Sequence, residues 1–251
     1  MHQKKVRDAE GVFVAEGYKS AEALLGHFEL LILVESATST RLNLTDERTI
    51  KERIREATDE EISKMSSLRA PQGIIAVFRR PQRMPLPDSS YKDLLLVLDG
   101  VQDPGNLGTI IRTADWFGVR DIVCSEDTAD CWNSKVVQAT MGSLARVRVH
   151  HTNLVEWFKQ LNRQSSTIFG TVLDGINIYS KDASKQLKTD KKGGTEIIIM
   201  GNEGNGISSP VRQFITHPLF IPRYIAEGDQ PESLNVSVAT GIILEYLRFK
   251  I

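Results

Sequence analysis

The sequence predicts an α/β protein with a mostly parallel sheet, helices on both faces, and a smaller α/β unit in front of it. Three observations carry that reading. From residue 94 onward, short apolar runs alternate with stretches of helical period. The run LLLVL at 94–98 is apolar at every position, as a strand buried on both faces requires. The segment QRMPLPDSSYKD at 82–93, rich in proline, serine and charge, separates this alternation from a shorter set upstream. It places a domain boundary near residue 87, giving units 1–87 and 88–251.

In the first unit, GVFVAEG at 11–17 alternates like a strand, and SAEALLGHF at 20–28 has helical spacing with Ser20 as cap. LLILVE at 30–35 reads as a buried strand, and TIKERIREA at 49–57 as a helix with a charged outer face. TDEEISKMSSL at 58–68 opens another helix, with Thr58 and Glu61 spaced as a capping box. GIIAVFRR at 73–80 closes the unit as a strand.

After LLLVLDG, a helix is expected over about 106–117, capped by Asn106. DIVCSE, VRVHH, TIFGTVLDG, TEIIIMGNE and PLFIPR read as further strands. NSKVVQATMGSLA and NLVEWFKQLNRQ read as helices, with a short helix from Ser208. A long final helix begins near Ser233. It is apolar on nearly all sides, more than one subunit would bury, which points to a dimer. This βαβα order gives a parallel sheet.

Composition narrows the function classes. The net charge of −1 argues against a protein that coats nucleic acid indiscriminately, while leaving room for a local basic face. No apolar run approaches the ~20 residues of a membrane span, and no export signal is visible at the start. The expected compartment is the cytoplasm. Cys124 and Cys131 are too few for a disulfide framework or a zinc site, and read as reduced thiols. The histidines have no metal-ligand spacing, and none is given a role.

Chemistry concentrates in three loops between strand and helix: DPGNLGTIIRTADWFG at 103–118, MGNEGNG at 200–206, and IPRYIAEGDQPESLNVSVATG at 221–241. Glycine there lets the main chain approach a ligand and turn sharply. Three such turns after strands suggest one site at a common sheet end. Gly201, Gly204 and Gly206 are spaced G-x-x-G-x-G, the reverse of the dinucleotide fingerprint. The GxxxxGK[ST] phosphate loop is absent. Two basic groups flank the first unit: Lys4, Lys5 and Arg7 at one end, and Arg79, Arg80 and Arg83 at the other. They are candidates for RNA phosphate contact if both ends fold onto one face.

Taken in order, the three loops resemble the signature motifs of the SpoU (TrmH-type) RNA ribose methyltransferases of the SPOUT class. The first motif matches through Asn106, Gly108 and Arg112, the second through IIIMGNEGNGIS centred on Glu203, and the third through Ile221, Pro222 and SLNVSVATG at 233–241. The likeness covers about residues 94–250. The first unit resembles the L30e-like substrate-binding domain that often precedes this catalytic domain, through GVFVAEGYKSAEALL and APQGIIAVFRRP. Relatives commonly read IPMxGxxxSLN where this chain has a longer loop bearing Arg223, Glu227 and Asp229.

The resemblance implies a C-terminal trefoil knot, a homodimer that completes the site, and S-adenosyl-L-methionine as cofactor. It implies an RNA substrate, ribosomal more than transfer RNA, methylated on a ribose 2′-hydroxyl, with no metal and no membrane partner. Asn106, Arg112, Glu203, Ser233 and Asn235 are then the catalytic set. Leu173, Met200, Gly201, Ile221, Leu234 and Asn235 hold the cofactor. RNA is held by Arg112 and the basic groups of the first unit. An arginine is a poor simple base, because its pKa is above 12. Arg112 is therefore expected to grip a phosphate and stabilise developing negative charge. Asn106 would orient the ribose, and Glu203 would pair with Arg112 or anchor the knot loop. The competing readings are an inactive RNA-binding or ribosome-associated module of the same fold, and an unrelated dinucleotide enzyme.

Overall fold

The computed structural model describes residues 3–39, 52–161, 166–181, 183–187, 195–224 and 233–249. Two compact units emerge. The first comprises Met1–Arg83 with Asp130–Ala145, and the second Met84–Ala129 with Arg146–Ile251. The first unit is thus discontinuous, because a segment between two strands of the second belongs to it.

The first unit contains α1 (Lys4–Glu10), β1 (Val12–Glu16), α2 (Tyr18–Leu24), β2 (Leu30–Ser36), β3 (Ile54–Ala57), α3 (Asp59–Met65) and β4 (Ile74–Arg79). From the inserted segment it takes α5 (Ser134–Thr140) and a 3-10 turn at Ser143–Ala145. Its strands lie in the order β1-β4-β2-β3, antiparallel except for the β2–β3 pair. Alternate residues of β1 and β4 meet the helices, and an aromatic cluster fills that side. Phe13 stacks on Phe78 at 5.4 Å and lies 4.8 Å from Trp132 of the inserted segment. The Glu16 carboxylate is buried and accepts hydrogen bonds from the hydroxyls of Ser66 and Ser67 and from the Ser67 N–H. A buried charge so well partnered is tolerable where a lone one would not be.

Three features of this unit differ from the expectation. The helix expected over 49–57 is instead strand β3 at Ile54–Ala57, while 49–51 lie outside the described residues. Residues 54–57 pair in parallel register with 33–36 of β2, and that tertiary pairing overrides a weak helical preference. Helix α2 starts at Tyr18 after Gly17 rather than at Ser20, whose buried hydroxyl donates to Gln138. Helix α1 was not anticipated. The basic groups do meet around one carboxylate: Asp8 pairs with Arg80 at 2.6 Å and with Lys4 at 3.3 Å. The capping box is present as expected, with Thr58 Oγ1 accepting from Glu61 N–H and the Glu61 carboxylate accepting from Thr58 N–H.

The second unit contains β5 (Leu94–Leu98), α4 (Pro104–Trp116), β6 (Asp121–Cys124), β7 (Arg148–His151), α6 (Leu154–Gln160), β8 (Ser166–Asn177), α7 (Ala183–Gln186), β9 (Thr195–Met200), α8 (Ser209–Arg212), β10 (His217–Phe220) and α9 (Val236–Phe249). Six strands form one sheet in the order β10-β8-β9-β5-β6-β7, and every pairing is parallel. Strand order reverses between β5 and β9. In open α/β sheets that switch point, at the C-terminal strand ends, is where ligands bind. One core layer joins Val97, Ile168, Ile197 and Ile199 to Trp157, Phe158 and Phe214. Beyond the last strand, α9 packs along α4.

At the opposite, N-terminal edge of the sheet a buried polar knot fixes β6 and β7. Asp121 accepts from His150 Nε2 (2.9 Å), the Arg148 guanidinium and the Tyr91 hydroxyl (2.9 Å). Burial alone would raise the Asp121 carboxyl, but the hydrogen bonds from His150, Arg148 and Tyr91 outweigh it and hold the group well below the usual carboxylate range. Burial together with the neighbouring Asp121 charge pushes the Tyr91 phenol well up. Cys124 and Cys131 are buried and not joined in a disulfide, and burial raises Cys131 strongly.

Candidate functional site

The three loops converge at the C-terminal ends of β5 and β9. After β5, Asp103 caps α4 by accepting the Asn106 N–H at 2.8 Å, with Pro104 in the first turn. Asn106 is therefore not the cap, as its position had suggested. Asp-Pro is itself a start signal, since proline suits the first helical position. This releases the Asn106 side chain. Its Nδ2 donates to Glu203 Oε1 at 2.8 Å, and its Oδ1 accepts from Asn235 Nδ2 at 2.8 Å. One amide thus ties together residues 97 and 129 positions away in sequence.

The chain of bonds has a direction. An ionised carboxylate only accepts, so Asn106 must turn its N–H toward Glu203 and its oxygen toward Asn235. Asn235 must then turn its own oxygen back, where it accepts from Ser237 N–H (2.9 Å) and Ser237 Oγ (2.6 Å) and caps α9. Asn235, not Ser233, begins that helix. Ser233 is exposed just before it.

Loop 201–207 needs glycine at its root. A Cβ on Gly201 would overlap the backbone of Gly206 and Ile207. Asn202 and Gly206 exchange two backbone hydrogen bonds (2.9 and 3.0 Å), closing a tight turn that carries Glu203. Asp99, at the end of β5, accepts from Ser208 N–H at 2.7 Å and pins the far end of the loop. Asp99, Asn202 and Asp103 escaped the sequence reading. The N-x-G spelling of 202–204 and the acid directly after an apolar strand were the available signals.

The remaining candidates are distributed as follows. Met200 is a buried sheet residue whose carbonyl accepts the Asp99 N–H, so its side chain does not line an open site. Ile221 and Pro222, after β10, are half-buried, and Leu234 is exposed. The β8–β10 register jumps from Gly170 to Ile176, and Leu173 stands in that excursion with 81% of its surface exposed. Arg112 is exposed on α4, and no ion pair joins it to Glu203 among the described residues. Glu227 and Asp229 lie outside the described residues.

Among the basic residues of the first unit, Arg7 is 2% exposed and paired with Asp130 at 2.7 Å. Arg80 is largely covered, paired with Asp8 and bonded to Val12 O. Both therefore act within the fold, because a buried, paired guanidinium has no face left for a phosphate. Arg79 pairs with Glu29 at the surface (2.7 Å), whereas Lys4, Lys5 and Arg83 are exposed. A cavity of about 390 Å³ lies within the first unit, among Thr38, Asp59, Ser63 and Gln72, away from the three loops in sequence. Among the described residues no cluster of histidine, cysteine or carboxylate side chains is placed to hold a metal ion, and no helix is long and apolar enough to cross a membrane.

Known proteins match this arrangement. Residues 93–245 match the SpoU rRNA Methylase family, and residues 1–76 match an MRM3-like substrate binding domain. The chain is 29% identical over 248 residues to the 23S rRNA (guanosine(2553)-2′-O)-methyltransferase of Bacillus subtilis, covering 99% of this chain and 93% of that one. It is 34% identical over 180 residues to a 23S rRNA (guanosine-2′-O-)-methyltransferase of Escherichia coli, 69% of each chain. Among solved structures, a TrmH-family protein of Porphyromonas gingivalis superposes with a TM-score of 0.80 at 35% identity, covering 100% of this chain and 94% of that one. An AdoMet-bound rRNA methyltransferase of Sinorhizobium meliloti gives 0.78 at 27% identity, with 98% and 90% covered. With its three motif loops joined in space and more than half of its length matched, this chain belongs to the SpoU rRNA methylase family.

Proposed function

We propose that this protein is an S-adenosylmethionine-dependent methyltransferase acting on a ribose 2′-hydroxyl of RNA, with ribosomal RNA as substrate and a homodimer as the working form. The observation that carries the reading is the Asn235–Asn106–Glu203 chain, which joins the three motif loops at the switch point of a parallel sheet. The residues present suit the cofactor. Leu173 and Leu234 are exposed apolar side chains, with Ile221 half-buried, on the segments that follow or interrupt β8 and β10. Such surface favours an adenine ring and the methylenes of a methionyl chain over water. Gly201 brings main-chain groups close.

When bound, the cofactor supplies a methyl group on a sulfonium sulfur, which the ribose oxygen displaces in line. The chain's own work is to hold the hydroxyl in place and to manage its proton. Glu203 has one oxygen engaged by Asn106. Asn106 fixes that carboxylate, and Asn235 fixes Asn106, so the polar wall is organised before substrate arrives. Arg112 is the group that grips the neighbouring phosphate and offsets charge developing on the oxygen.

Arg112 also supports the dimer. It follows Asn106 by six positions, so an α-helix sets the two side chains about 120° apart and about 9 Å along the axis. Asn106 and Arg112 of one subunit therefore do not face the same point. Arg112 shares its face with Trp116, which is 85% exposed, and α9 exposes Val238 and Phe249. A second copy covering that face would bring its own arginine to the site.

Transfer of a labelled methyl group from S-adenosylmethionine to ribosomal RNA tests the activity. Arg112→Ala should keep cofactor affinity, read by calorimetry, and lose most turnover. Undiminished turnover removes Arg112 from the mechanism, and absence of any cofactor heat with the unaltered protein favours an inactive RNA-binding module. Light scattering tests the dimer.

A further inference from the structure

The loop that carries Glu203 is held by one of its own side chains, which the three-motif reading leaves without a role. Asn202 Nδ2 donates to Gly100 O at 2.7 Å, while Asn202 Oδ1 accepts from Gly204 N–H at 2.9 Å and Asn205 N–H at 3.1 Å. One amide therefore does two things. Its oxygen closes the turn on which Glu203 sits. Its N–H fastens that turn to the loop between β5 and α4, which delivers Asn106.

The receiving side is shaped for this. Gly100 sits at φ +74, a conformation open to glycine, and a Cβ there would meet Asp127 Oδ2 at 3.3 Å and the Asn202 side chain at 3.6 Å. The Gly100 N–H is itself held by Ser125 Oγ at 2.8 Å, and Ser125 by Thr128 at 2.9 Å. The Gly100 carbonyl thus belongs to a buried, fully bonded corner, a rigid anchor rather than a mobile loop. Both partners of the Asn106–Glu203 bond are then referenced to the same corner, one through the main chain leading into α4 and the other through Asn202.

We infer that Asn202 is a positioning residue for methyl transfer, setting the Glu203 carboxylate against Asn106 by clamping loop 201–207 to the Gly100 carbonyl. The inference rests on the methyltransferase reading for its effect on rate and on geometry alone for the clamp. Two readouts keep them apart.

The first is amide hydrogen exchange at Gly204 and Asn205 in the full-length protein. Asn202→Ala should speed exchange at both by about tenfold or more, the value of one hydrogen bond, with α9 amides unchanged. Unaltered exchange at these two amides overturns the clamp, whether or not the protein has activity. The second is a cycle of single-turnover rates across Asn202→Ala, Glu203→Ala and the double variant. If Asn202 works through Glu203, its loss costs about 10- to 30-fold when Glu203 is present and under about twofold when it is absent. Equal losses in both backgrounds refute the positioning role. Should Asn202→Ala unfold, Asn202→Ser keeps a turn-closing oxygen but is too short to reach Gly100, and the same cycle is run with it. An unaltered protein that neither binds cofactor nor transfers methyl sinks the functional reading, while the exchange result still decides the clamp.

Discussion

Replacing Asn106 by alanine breaks two hydrogen bonds at once. One is a neutral amide pair with Asn235, and the other goes to a carboxylate; both are 2.8 Å long. In a fully dry site these would contribute about 0.5–1.5 and 1.5–3 kcal/mol. Here Asn106 and Glu203 are half-buried and Asn235 is exposed, so water re-solvates the orphaned groups and recovers part of that. A net loss of about 2 kcal/mol in the organised transition state corresponds to a fall of about 30-fold in single-turnover rate. Folding stability should change by about 1 kcal/mol or less, and cofactor affinity hardly at all. Asn106→Asp is the sharper variant. It sets a carboxylate against Glu203 at hydrogen-bond distance, where two like charges repel and the pair takes up a shared proton more readily than a lone carboxylate would. At pH 8 it should be slower than Asn106→Ala, and it should recover as the pH falls and the pair shares a proton. The assay is transfer of a labelled methyl group with enzyme in excess, followed from pH 5.5 to 9. A rate within twofold of the unaltered protein for Asn106→Ala, with cofactor bound equally, would refute the argument that this amide organises the site.

Gly201→Ala forces the loop off Gly206 and Ile207 and should abolish cofactor heat in calorimetry while the protein remains folded by circular dichroism. Thr58→Ala removes the capping box of α3 and should lower stability by about 1 kcal/mol in urea melts, without touching turnover. The Asp121 knot has opposite consequences at the two ends of the pH scale. The Asp121 carboxyl is depressed in the fold, so its stabilisation is present above its unfolded pKa, about 3.9, and is lost as the pH falls below that. The Tyr91 phenol is raised, so its contribution is present below about pH 10 and is lost above it. Thermal melts of Asp121→Asn should therefore show a shallower acid limb than the unaltered protein, and identical limbs would contradict this.

The parallel sheet could be read from the chain because LLLVL and the IIIM of the strand after residue 196 have no polar side, a pattern that a doubly covered strand satisfies. The convergence of the three loops was legible for a related reason: each follows a strand, and parallel strands deliver their C-terminal ends to one side. Residues whose role depends on a partner far away in sequence were harder. TIKERIREA looks helical in isolation, yet residues 54–57 pair with β2. Arg7 looks like a surface cation, yet its partner Asp130 comes from a segment more than a hundred residues later. Asn106 looked like a cap because the competing cap, Asp103, does the same job three positions earlier and frees the asparagine for Glu203. Local chemistry was read correctly at Thr58 and Glu61, whose partners lie three positions apart.

The discontinuity of the first unit sets a timetable for its birth on the ribosome. Phe13 and Phe28 emerge early, but the indole that completes their cluster is Trp132, and Arg7 waits for Asp130. Until about fifty residues beyond Arg83 have been synthesised, the nascent amino-terminal unit carries an open aromatic seam and lacks the Asp130 partner of Arg7. A fragment ending at Arg83 should accordingly behave as a loosely packed, dye-binding species, and adding the 130–145 peptide in trans should tighten it.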